Sequence, residues 1–230
     1  LVSEAVCCGW DICTTDISKA FLQGVTYEEL AAATGEPIRE VNFMLPPGSV
    51  PVLRQVTGFE HFNPITEVLH CDKPGTGLVD APRCFSMKLA KITHQQGGLK
   101  SSSVDQELCM KHEQQHGSPK LTCLMAKHVD DLKLTGERSE IIKTLQLVQK
   151  EFGELKIEWN NFTNCGIRHQ QDKHTKEVTM DQIEYLKKIK TISHAELRTS
   201  STNAEAGSEL HQLYMSLLGA VAYTALTRPD

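Results

Sequence analysis

The chain has 230 residues, a formal net charge of −5, 40% hydrophobic and 23% charged residues, enough length to bury a sizeable core in one large domain or two small ones. No run of about 18 apolar residues occurs, which excludes a transmembrane helix and a membrane partner, and the acidic balance is awkward for binding a nucleic-acid backbone. The eight cysteines form no Cys-x-x-Cys pair and no zinc-type Cys/His spacing, which points to a thiol-reduced, intracellular compartment. The start at Leu1 has no basic segment and no initiating Met, and the end at Asp230 is equally abrupt; both ends read as cut from a longer chain.

In chain order, residues 1 to 10 give the last turn of a helix with Ala5, Val6 and Cys8 apolar and Gly9 as its stop. A strand then leads into Asp16. Residues 27 to 40 carry Glu28, Glu29 and an Ala-rich stretch and read as an insertion without an assigned role. Leu45-Pro46-Pro47-Gly48 cannot supply strand hydrogen bonds at its prolines and predicts an exposed connection, and Asn63-Pro64 marks a loop. Asp80 is placed to cap a helix whose first turn holds Pro82, with Phe85, Leu89 and Ile92 at helical spacing and Gly97-Gly98 at its end. Residues 111 to 119, with His112, His116, Gly117 and Pro119, predict a hairpin loop.

Leu124 to Leu134 combines an apolar run, His128-Val129-Asp130-Asp131 and an alternating Leu132-Lys133-Leu134, which reads as strand, tight turn and returning strand. Adjacent carboxylates repel, and beside buried strands they need a cation or a basic partner to offset the cost. Oxygen donors alone suit a hard ion such as Mg²⁺, with Asp16 as the natural third carboxylate. Ile141, Ile142, Leu145, Val148 and Phe152 then form an amphipathic helix stopped by Gly153. Asp181 and Glu184 predict a capping box for a helix with Ile183, Leu186 and Ile189 and the basic Lys187, Lys188 and Lys190. A linker at 199 to 207 precedes the clearest helical stripe, Leu210 to Val221, which Pro229 ends.

Asp16 followed by Ala20-Phe21-Leu22-Gln23-Gly24, with the later His128-Val129-Asp130-Asp131, resembles the reverse transcriptase of copia-class LTR retrotransposons. Leu45 to Gly48, Gly77 to Arg83, Gly98-Leu99-Lys100 with Asp105, and Tyr214 to Gly219 running on to Thr227-Arg228-Pro229-Asp230 fall in that family's order. The resemblance implies an α+β polymerase palm, an antiparallel sheet with packed helices, carrying partial fingers and a small helical thumb or connector. Residues 1–153 would be palm with partial fingers, 154–198 primer-grip-like strands and a thumb-like helix, and 199–230 a linker and connector helix.

The implied activity is RNA-directed DNA polymerisation by two-metal nucleotidyl transfer, with two Mg²⁺ or Mn²⁺ ions held by Asp16 and Asp130 and with Asp131 beside them. The implied partners are an RNA or DNA template-primer, deoxynucleoside triphosphates, and the fingers and RNase H regions of a longer Pol polyprotein, in a cytoplasmic retrotransposon particle or the nucleus. Phe21 would close against the sugar 2′ position or serve as a core aromatic. Arg83 would bind phosphate or form a surface salt bridge. The family's Tyr and Gln are replaced by His128 and Asp80, and these departures favour an alternative, a non-catalytic relic or scaffold that keeps the palm fold. A metal-dependent phosphohydrolase would also use paired carboxylates, but it leaves the other ordered segments unexplained.

Overall fold

The structure is a computed structural model that describes residues 1–199 and 205–227. Helix α1 (Val2–Cys8) ends at Gly9, whose φ of 67° lies in the left-handed region that glycine enters without a Cβ clash. Strand β1 (Asp11–Asp16) follows, then a 3₁₀ turn over Ala20–Gln23 and helix α2 (Tyr27–Thr34), which starts on a complete capping box between Thr26 and Glu29. The segment to residue 80 is irregular, with β2 (Asn42–Phe43) and β3 (Leu69–His70) forming a two-stranded ladder around the single-turn α3 (Val50–Leu53). Helix α4 (Ala81–Ala90) runs into a π-helical stretch over Lys91–Gln96.

The second half supplies most of the sheet: β4 (Lys100–Ser101), β5 (Leu108–Gln115), β6 (Ser118–His128), β7 (Asp131–Gly136), helix α5 (Arg138–Phe152) and β8 (Lys156–Trp159). These strands and β1 form one antiparallel sheet in the order β4-β5-β6-β7-β1-β8. A smaller sheet follows, from β9 (Asn161–Asn164), β10 (Ile167–Gln171) and β11 (Val178–Asp181). The short helices α6 (Ile183–Leu186) and α7 (Glu196–Thr199) and the long α8 (Ser208–Thr224) close the described chain. The protein is thus a mixed α+β fold with a largely antiparallel sheet and several helices.

Side chains alternate across a strand, and this period divides the large sheet into two unlike faces. One presents Cys13, Cys123, Met125, Leu132 and Leu134 to α4 and α5, whose Phe85, Leu89, Ile141, Leu145 and Val148 complete the main core. On the other face, Ile12 is covered by Ala5 of α1 and Phe162 of the small sheet. That cover stops short of the end of β1 that carries Asp16.

The chain passes between the two sheets at Asn160, held at φ 64°. Its N–H donates to the Ile12 carbonyl at 2.9 Å and its carbonyl accepts from the Gln171 N–H at 2.8 Å. The Gln171 side chain completes the seam: its Oε1 accepts from the Ile12 N–H at 3.0 Å and its Nε2 donates to the Trp10 carbonyl at 2.8 Å.

Several expectations are corrected here. Residues 111 to 119 are mostly strand, because a two-residue turn at His116 and Gly117, with φ of 53° and 83°, absorbs the whole reversal. The strands flanking Asn160 do not pair with each other: β8 pairs with β1, and β9 with β10. No capping box forms at Asp181: its Oδ1 accepts from the Ile183 N–H at 3.1 Å while Arg168 holds Oδ2 at 2.8 Å, but the Glu184 carboxylate pairs with Lys187 instead of reaching back, and the thumb-like helix shrinks to the single turn α6. Asp80 occupies the N-cap position of α4, but its carboxylate pairs with Arg39 instead of capping. Ile142 is exposed, off the buried face of α5. Residues 200–204 of the expected linker and Arg228-Pro229-Asp230 lie outside the described residues.

Candidate active site

Asp16 ends β1 and stands directly opposite Asp131, the first residue of β7. Opposed residues of an antiparallel pair project to the same face, so the two carboxylates share the face away from the main core. The register extends this row to His128 on β6 and Lys156 on β8. Two anions therefore lie side by side between two groups able to carry positive charge. The next row on that face is Ala126, Lys133, Thr14 and Glu158.

Asp130 is the second residue of the two-residue turn joining β6 to β7. Its carbonyl accepts from the Ile17 N–H at 3.3 Å, which ties the turn to the chain just after Asp16. The first turn residue, Val129, has φ 59°. Hairpin turns of this kind want Gly or Asn at positive φ, and a β-branched side chain there is a strained choice.

Beside the carboxylates opens a cleft of about 560 Å³, lined among others by Thr14, Asp16, Ser18, Asp131, Lys156 and Glu158. Partial burial, then the charges of Asp130 and Asp131, push the Asp16 carboxyl above the usual carboxylate range. Lys156, among the described residues the one basic side chain lining the cleft, is already paired with Glu158 at 2.5 Å.

The small sheet places a further layer over this face. The Cys165 thiol, in the turn between β9 and β10, donates to Asp131 Oδ2 at 3.7 Å. Asn164 Nδ2 donates to Thr14 Oγ1 at 3.4 Å, and Lys133 Nζ donates to His169 Nε2 at 3.1 Å while His169 Nδ1 faces the Ile167 carbonyl at 3.0 Å. Burial, then the neighbouring Lys133 ammonium, pushes the His169 imidazole down to about 4. Its Nε2 thus serves as the acceptor of the ammonium's hydrogen bond. Sequence reasoning missed this layer. The alternation Leu132-Lys133-Leu134 could have put Lys133 on the carboxylate face, but no pattern pointed to His169 or Cys165.

The donor chemistry fits a hard divalent cation: oxygen-only ligands, like charges held opposite one another, and a carboxyl whose proton affinity is raised by partial burial and by the charges of Asp130 and Asp131. Among the described residues, no three His, Cys, Asp or Glu side chains are gathered closely enough to hold an ion as they stand.

The two other candidate residues lie elsewhere. Phe21 is half-buried against the main core from the 3₁₀ turn and does not line the cleft. Arg83, in the first turn of α4, donates to Glu36 from both terminal guanidinium nitrogens, the shortest contact being 3.0 Å. No known protein family, curated protein or solved structure matches the chain. Among the described residues no helix is long and apolar enough to cross a membrane.

Proposed function

We propose that the chain is the palm portion of a copia-like reverse transcriptase, built for two-metal nucleotidyl transfer on a template-primer with deoxynucleoside triphosphates. The observation that carries this reading is the like-charged pair Asp16 and Asp131 at the open end of the sheet, with Asp130 in the adjoining turn. An uncompensated pair is destabilising in a sheet, by roughly 0.2–1 kcal/mol on the scale of cross-strand pairs, and makes sense if a cation is recruited to it. Bound there, Mg²⁺ or Mn²⁺ would activate the primer 3′-hydroxyl and neutralise the departing pyrophosphate. Asp16 and Asp131 would hold the ions from neighbouring strands, with Asp130 supplying a further carboxylate from the turn. Cys165 would keep Asp131 turned toward Asp16, and the floor of the cleft, Thr14 and Ser18, would meet the primer end.

A second reading, a relic or scaffold that keeps the palm fold, is favoured by one specific arrangement. Arg83 and Asp80, both in the segment expected to meet the nucleotide, are tied to Glu36 and Arg39. Manganese binding followed by electron paramagnetic resonance, run beside primer extension on poly(rA)/oligo(dT), separates the two. Mn²⁺ binding lost in Asp16→Asn, with extension above the background of that variant, supports the enzyme; no saturable Mn²⁺ binding overturns it. The chain alone should extend little, since the implied fingers are a separate partner; binding without extension once that region is supplied favours the relic.

A further inference from the structure

On the helix-packed face of the sheet, behind the β6–β7 turn, lies a second cavity of about 230 Å³. Pro82, Phe85 and Leu89 of α4 line one side, Lys127, His128 and Val129 the other, and the Glu107 carboxylate also lines it. Lys127 is opposite Leu132 in the register, so it points to the core face, one residue out of step with the carboxylate row. A lysine at such a position is rare, because burying an ammonium is costly unless it is paired and hydrogen-bonded.

Here that requirement is only half met. The Lys127 side chain is 5% exposed, and its nearest anion, Glu107, is 3.6 Å away and itself 54% exposed. That separation is beyond hydrogen-bond reach, and among the described residues no side-chain hydrogen bond to the ammonium exists. Its charge is felt nearby: after burial, the Lys127 ammonium is what lowers the pKa of His94.

We propose that this cavity is a binding site for a small monocarboxylate with a compact apolar body, held by Lys127 and displacing Glu107 toward solvent. The apolar wall of Phe85, Leu89 and Pro82 takes the body, and the Lys127 ammonium, on a side chain 5% exposed, takes one negative charge. A dianion such as phosphate fits poorly, because a second buried charge would have no donor. The ligand would touch Val129, in the turn that carries Asp130, while sitting on the opposite face from Asp16 and Asp131. The site stands on its own geometry and holds whether or not the chain is a polymerase.

The test is a titration of the full chain, with labelled valine and leucine methyls followed by NMR, using benzoate, its neutral isostere benzyl alcohol, and inorganic phosphate. Benzoate should shift the Val129 and Leu89 methyls saturably, and the other two probes should bind at least tenfold more weakly. Lys127→Met, which keeps the stem and removes the charge, should weaken benzoate roughly tenfold or more, the scale of a charge-assisted hydrogen bond. Glu107→Gln, on an exposed side chain, should tighten it several-fold by removing the competing carboxylate. Equal binding of benzoate and benzyl alcohol overturns the proposal, as does benzoate affinity unchanged in Lys127→Met. Should Lys127→Met fail to fold, the Glu107→Gln titration decides alone, and no tightening there sinks the idea.

Discussion

Asp16 and Asp131, from opposite halves of the chain, are register partners on adjacent antiparallel strands. Opposed like charges cost stability in a sheet, and on the proposed reading a bound ion would convert that cost into affinity. Asp131→Asn should therefore raise the melting temperature in chelator by a small amount, corresponding to about 0.2–1 kcal/mol. On the proposed reading the unsubstituted chain should gain stability from millimolar Mg²⁺ or Mn²⁺ by mass action, and the variant should lose that gain. The check is differential scanning fluorimetry with and without metal. A variant that melts lower in chelator would show that the two carboxylates do not oppose one another.

Acid should weaken the fold through His169. Its imidazole ionises near pH 6.5 in an unfolded chain but only at about 4 in the folded one. Between those values the unfolded state binds the extra proton, so this contribution is complete above pH 6.5 and is lost as pH falls toward 4. The difference corresponds to on the order of 3 kcal/mol. Asp16 acts with the opposite sign: its folded pKa is raised, so its contribution is best at low pH and is lost as pH rises through the folded value. Urea melts of the parent and of His169→Phe between pH 4 and 7.5 separate the two, and the variant should show the shallower loss toward acid.

Val129→Gly should stabilise the β6–β7 turn. Releasing a β-branched residue from φ 59° removes strain of about 1–2 kcal/mol, offset in part by the extra freedom glycine gains on unfolding. The expected net gain is about 1 kcal/mol or less, read as a shift in urea midpoint at constant slope. If the turn conformation serves the carboxylates, Mn²⁺ affinity should fall in the same variant.

Phe21→Ala should act as a core truncation. The ring packs on the main cluster and does not reach the cleft, so the substitution should cost up to about 3 kcal/mol, the lower end for a fully buried Phe. The ratio of kcat/KM for deoxynucleotide over ribonucleotide, measured in any active form of the protein, should stay unchanged. A rise in ribonucleotide use without a drop in melting temperature would return Phe21 to the sugar.

The parts of this fold legible in the sequence were those set by local periodicity. The strand, turn and strand around Asp130, the α5 stripe ending at Phe152 and the helix of residues 210 to 221 all follow from spacing within one segment. What stayed illegible depends on partners distant in the chain. That Asp131 would face Asp16 is a matter of register, and a shift of one residue would have sent either carboxylate to the core. Glu36 captures Arg83 from a segment with no pattern to mark it, and Arg168 reaches Asp181 from a neighbouring strand that no local spacing announced.

The crossing at Asn160 has a consequence for how the molecule opens. The Ile12 amide is satisfied by a glutamine from the small sheet, and the Gln171 amide by the backbone of the crossing residue. Peeling away the small sheet would strand a buried donor on β1, so the two sheets should open as one cooperative unit. In native-state hydrogen exchange the amides of Ile12, Asn160 and Gln171 should share a single opening free energy. The strand bearing Asp16 would then be only as durable as the flap that covers its far end.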